Sequence, residues 1–197
     1  MEKLVSADFK IVEEPRKILA MNPKKFAMWL FIGSVGMLFA ALTSAYIVRQ
    51  AEGNWLYFDL PQIFTISTVV IVLSSITMQW AYWSAKKDNL SMVKIMVTIT
   101  SLLGLVFLVL QVEGWKALVA EQVYLVGNPS GSFLYIISGL HGLHLLSAVI
   151  FLLIVLVSTY RYKVHSQNLS QIEMCTTYWH FLGGLWLYLF VFLLLYR

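Results

Sequence analysis

The sequence predicts an all-α integral membrane protein: a bundle of five transmembrane helices with its N-terminus cytoplasmic and its C-terminus outside. Three observations lead there. The 197 residues are 59% hydrophobic and only 12% charged, with a mean hydropathy of +0.76, whereas a soluble domain carries about 25% charged residues. Five apolar runs are long enough to cross a hydrocarbon core of about 30 Å at roughly 1.5 Å rise per residue. Lys and Arg fall in short clusters between those runs instead of along one basic face, so the formal charge of +4 reports topology and not a nucleic-acid partner. Cys175 is the single cysteine, which excludes an internal disulfide and any CxxC-type metal site.

Residues 1–25 read as a charged cytoplasmic N-terminal arm, and 26–197 as the five-helix membrane domain. The arm lacks the apolar core of a secretory signal peptide, so the first run, near Phe26–Val48, is expected to act as a retained anchor. The second run, Gln62–Ala85, follows Pro61, a residue tolerated in the first turn of a helix. Asp59 stands two residues before that proline and is read either as the helix cap or as a membrane-edge carboxylate. The polar residues of this run, Thr65, Ser67, Thr68, Ser74, Ser75, Thr77 and Gln79, could line a polar path; packing is the favoured reading, since Ser and Thr more often bond their own helix carbonyls and allow close approach. The third run, Met92–Val112, ends at Glu113, a second membrane-edge carboxylate. Gly127-Asn128-Pro129 marks the turn before the fourth run, Ser132–Thr159, and the fifth covers Ile172–Tyr196. Short connections make consecutive helices expected neighbours. Eleven basic residues lie on the N-terminal side of the membrane, against Arg49, Lys116 and Arg197 on the other, which sets the predicted orientation.

The last two runs hold the candidate site. His141 and His144 are three apart and share a helix face. Glu173 and His180 are seven apart, two turns, or about 10 Å along the axis. Gly139, Gly142, Gly183 and Gly184 interleave with them and allow close backbone approach. Ionisable groups inside a bilayer are costly and turn inward to find partners. These four are therefore expected to form one structural polar cluster at the seam of the last two helices, with Glu173 bonded to at least one imidazole. The same cluster has a functional reading, a buried carboxylate–imidazole site, and a weaker one, a zinc site, for which HxxH alone is a thin signal.

These residues also resemble a known family, subunit III of the haem–copper respiratory oxidases, cytochrome c oxidase above all. Its GxHGxH pattern is matched by Gly139, His141, Gly142 and His144. Its later E, six residues, H within YWHF and downstream W are matched by Glu173, Tyr178, Trp179, His180, Phe181 and Trp186. Met28-Trp29-Leu30-Phe31, Phe58-Asp59-Leu60-Pro61 and Ser74-Ser75-Ile76-Thr77 agree as well. The resemblance implies the five-helix form of that subunit, an accessory chain supporting the stability and proton supply of a catalytic subunit. It implies no redox cofactor or metal in this chain, haem and copper in partner subunits, and bound phospholipid in a cleft between the first two helices and the other three. Implied partners are oxidase subunit I, other oxidase subunits, membrane lipids and a respiratory supercomplex, in a bacterial cytoplasmic (inner) membrane. Related alternatives are a subunit of a quinol oxidase or nitric oxide reductase system; an unrelated one is a small transporter. The sequence departs from the family where Ser34 is followed by Val35 in place of the usual glutamate, and where the Gln111 pattern carries Glu113 one position early.

Overall fold

The computed structural model describes residues 23–161 and 169–196. His165 and most of the N-terminal arm lie outside them. The described residues form five helices and no strand: α1 Pro23–Ala51, α2 Gln62–Lys86, α3 Leu90–Ala120, α4 Pro129–Tyr160 and α5 Ser170–Leu195. All five are long and apolar enough to cross a membrane. Four spans contain their predicted run whole and α5 ends one residue short of its run; most ends move outward because helices continue through the polar edge of a bilayer, where hydropathy has already fallen. The largest extension is in α3, which runs past Val112 to Ala120. There Glu113 and Lys116 pair at 2.7 Å one turn apart, and Trp115 donates its indole N–H to Ser138 Oγ at 3.0 Å.

Turn chemistry sets the breaks. Asp88 (φ 52) and Gln122 (φ 63) adopt the left-handed conformation just past α2 and α3. Asn89 caps α3 by accepting from the Met92 N–H at 3.3 Å. Asn128 caps α4 through the Ser130 N–H at 3.0 Å, with Pro129 at the first helical position. The same Asn128 side chain accepts from the Leu56 N–H and donates to the Asn54 carbonyl, both at 3.2 Å, so it also ties down the connection between α1 and α2.

Helices α2, α3, α4 and α5 close into a four-membered ring, each packed on the next and α5 back on α2. Helix α1 lies outside this ring against α4 and α5 and does not pack on α2. The expectation that all consecutive helices are neighbours holds for three connections and fails for the first. The 52–61 segment between α1 and α2 is held to the start of α4: Trp55 within it packs on Tyr46 and Phe133 at ring distances of 4.6 and 6.5 Å. A cleft separating the first two helices from the other three is consequently absent among the described helices, because α1 and α2 are not a pair.

Inside the ring, Trp179 and Trp186 of α5 fill the centre and are almost wholly buried. The Trp179 ring sits against Gly104 of α3, where a Cβ would come within 2.6 Å of the indole. Gly104→Ala should therefore force the two helices apart and lower stability by about 1–3 kcal/mol, while Gly36→Ala on α1, which meets open space, should be close to neutral. Thermal unfolding of the two variants in detergent compares them directly.

Candidate functional site

The groups predicted to cluster take separate partners. Glu173 stands in the first turn of α5, at the membrane edge. Its Oε2 accepts from Lys25 Nζ at 2.7 Å, with the two side chains 40% and 32% exposed. The expected carboxylate–imidazole bond is replaced by an ion pair, because α1 runs parallel to α5 and brings a cation to the same edge. A carboxylate there also meets the positive end of the α5 dipole. At this exposure the pair contributes no more than about 1 kcal/mol.

His180, two turns further along α5, is half-buried and donates from Nε2 to Gln79 Oε1 of α2 at 2.9 Å. The oxygen can only accept, so the ring nitrogen must carry the hydrogen. His144 donates from Nδ1 to its own helix, the Leu140 carbonyl, at 2.7 Å. That bond holds its ring beside Phe39 and Phe31 at 5.8 and 6.3 Å. His141 has no solvent exposure. Trp186, Phe107 and Phe39 enclose it at ring distances of 5.1, 6.1 and 6.3 Å, and neither of its ring nitrogens has a protein partner among the described residues.

The helical spacing did bring His141 and His144 to one neighbour, Phe39, yet no hydrogen bond links any two of the four predicted residues among those described. Nor do three His, Cys, Asp or Glu side chains among the described residues converge as metal ligands would. Asp59 is exposed and does not cap α2, whose N-cap is Pro61 with no side-chain bond. The Phe64 N–H is taken instead by the Pro61 carbonyl at 3.0 Å. Glu113 is exposed and paired with Lys116.

Sequence reasoning missed Lys25, Gln79 and Gln111. Gln111 of α3 is buried and donates to Ser67 Oγ of α2 at 3.0 Å. Gln79, expected among the packing groups of α2, is bonded across to α5. The usable signal was the amide itself, which in hydrocarbon needs an interhelical partner as much as an imidazole does. The hydroxyls around it divide their bonds: Ser74 donates to its own helix at Ile71 and accepts the Trp179 indole N–H at 3.1 Å, and Thr68 does the same with Phe64 and the Trp186 N–H at 3.0 Å. Thr77 meets Thr100 of α3 at 2.8 Å. The site as a whole fixes helix positions across the ring.

These partners predict opposite outcomes for two histidines. His141→Phe replaces a ring whose nitrogens bond no protein group and should keep stability within about 1 kcal/mol. His180→Phe strands the Gln79 amide oxygen and should cost about 1–3 kcal/mol. Thermal unfolding of both variants in one detergent decides it; a His141→Phe protein weaker than His180→Phe contradicts the assignment.

Comparison with known proteins agrees with this architecture. The family model described as cytochrome c oxidase subunit III matches residues 16–197. Cytochrome c oxidase subunit 3 of Bacillus sp. (strain PS3) is 26% identical over 96% of this chain and 93% of its own length. Cytochrome bo(3) ubiquinol oxidase subunit 3 of Buchnera aphidicola is 26% identical over 88% of this chain and 94% of its own. Cytochrome c oxidase subunit 3 of Squalus acanthias is 32% identical over 68% of this chain, but over only 49% of that longer protein. A family match spanning all five helices, together with the motif residues placed on α4 and α5, leads to one conclusion: the chain belongs to the cytochrome c oxidase subunit III family.

Proposed function

We propose that this chain is the accessory third subunit of a haem–copper terminal oxidase in a bacterial cytoplasmic membrane, packed against the haem-bearing subunit I and, through the assembled oxidase, available to a respiratory supercomplex. The family match over residues 16–197 carries the reading. The geometry supports a role in holding structure: every polar group traced across the ring joins one helix to another, and electron transfer belongs to the partners. Helix α1 contains no Asp or Glu, and Val35, where the family usually has glutamate, is buried against the bundle. Support of proton supply therefore acts through stabilising subunit I. Relatives at the same 26% identity include cytochrome c and quinol oxidase subunits, so the electron donor is a property of the partner subunits.

Phospholipid is the second proposed partner. A groove of about 890 Å³ opens between α1 and α4, lined by Ala41, Ser44, Ala45, Phe133 and Ile136, with Arg49 and Glu52 at its mouth. An acyl chain suits the apolar walls, and Arg49 suits a headgroup phosphate at the interface.

Removing the chain from the complex should leave an oxidase that reduces oxygen at first, retains less phospholipid and loses activity faster during sustained turnover. A complex unchanged in assembly, lipid content and durability would refute this role. The basic-residue count further predicts an inside N-terminus and an outside C-terminus. Terminal reporter fusions test it, and reporters on the same side of the membrane would contradict it.

A further inference from the structure

Helices α1 and α2 flank α5 without packing on each other. The outward stripe of α5 is therefore the floor of a trough that faces the membrane. One end is a cavity of about 340 Å³ between α2 and α5, and the other a cavity of about 540 Å³ between α1 and α5, with Leu187 lining both. From His180 to Leu195 the floor runs about 22 Å at 1.5 Å per residue, most of the thickness of a hydrocarbon core.

Two features of the trough point to its occupant. Its α2 end is floored by small residues: Gly183 sits on Ser75, where a Cβ would stand 3.0 Å from the hydroxyl, and Gly184 is exposed with open space around it. Such a floor lets a second backbone approach closely. The same end also presents unspent hydrogen-bond donors. His180 donates to Gln79 Oε1, so the Gln79 amide nitrogen keeps both hydrogens, and no described residue accepts from it. Gln79 and His180 both line the cavity. An acyl chain offers those hydrogens no acceptor, and in hydrocarbon an unpaired amide is costly. A helix bearing a hydroxyl, amide or accessible carbonyl oxygen supplies one.

We infer that this trough seats one transmembrane helix of a partner oxidase subunit, which packs its own small residues on Gly184 and places a side-chain oxygen against the Gln79 amide. The inference rests on the proposed function and adds to it the face through which the subunit is held. It also gives Gln79 two tasks, fixing His180 from one atom and meeting the partner from another.

The test uses the whole complex, with a photo-crosslinking residue at position 184 and, as reference, at Leu102 on the outer face of α3. Position 184 should capture a haem-bearing or other oxidase subunit, and position 102 lipid. In parallel, Gly184→Trp should lower the haem recovered per chain at least about fivefold by filling the trough, with Leu102→Trp unchanged. Thermal unfolding of the isolated chain should not move for Gly184→Trp, since the new ring meets open space. Capture at 184 of lipid or a second copy alone, or full haem recovery with Gly184→Trp, would overturn the docking face while leaving the proposed function intact. A wild-type chain that brings down no haem-bearing subunit would overturn both.

Discussion

Two indole N–H groups on one helix organise this bundle. Trp179 and Trp186 lie two turns apart on α5 and donate to Ser74 and Thr68, two hydroxyls on the adjacent α2. In lipid, apolar surface gives little reason for one helix to prefer another, and an indole N–H without an acceptor is costly, so these bonds select which faces meet. Their geometry then makes demands on the other helices. The Trp179 ring needs the missing side chain of Gly104 on α3, and the Trp186 ring closes over His141 of α4 with Phe107 of α3 at its edge. One helix thereby sets the positions of three others.

Helix α1 is held differently. It sends Phe39 inward against His141 at 6.3 Å but makes no indole bond to the ring, and it is pinned to α5 mainly near its ends: Lys25 on Glu173 at one, and Tyr46 and Gln50 on the Tyr196 carbonyl at 3.1 and 2.9 Å at the other. Thr43 and Tyr188 meet between them at 3.0 Å. A helix fixed this way leaves grooves on both flanks, toward α4 and along α5, and those grooves are where the proposed lipid and the proposed partner helix belong. Several interior polar groups of the ring are spent on helix–helix contacts, among them Gln111 with Ser67 and Thr77 with Thr100, while Gln79 bonds His180 through its amide oxygen.

Much of this was legible in the sequence because it depends on local properties. Hydropathy located five spans, since twenty or so apolar residues in a row have few alternatives to crossing a bilayer. Asn128-Pro129 marked the start of α4 because capping and a fixed proline φ act within a few residues. The motif around His141, His144, Glu173 and Trp179-His180 pointed to the family, and the match over residues 16–197 agrees.

The partners of those same residues were not legible. Helical spacing states which side chains share a face, but not which helix faces them. Glu173 was expected to meet an imidazole and meets Lys25, because only the packing of α1 parallel to α5 brings that ammonium to the membrane edge. His180 was expected in a cluster with α4 and bonds α2, because the two tryptophans rotate that face of α5 toward α2. The sequence determined the class, the spans and the family, which follow from short-range chemistry and motif spacing. Only the tertiary structure decided that α1 stands apart from α2 and that four motif residues serve separate contacts, because helix order around a ring is set by which polar groups can satisfy one another across it.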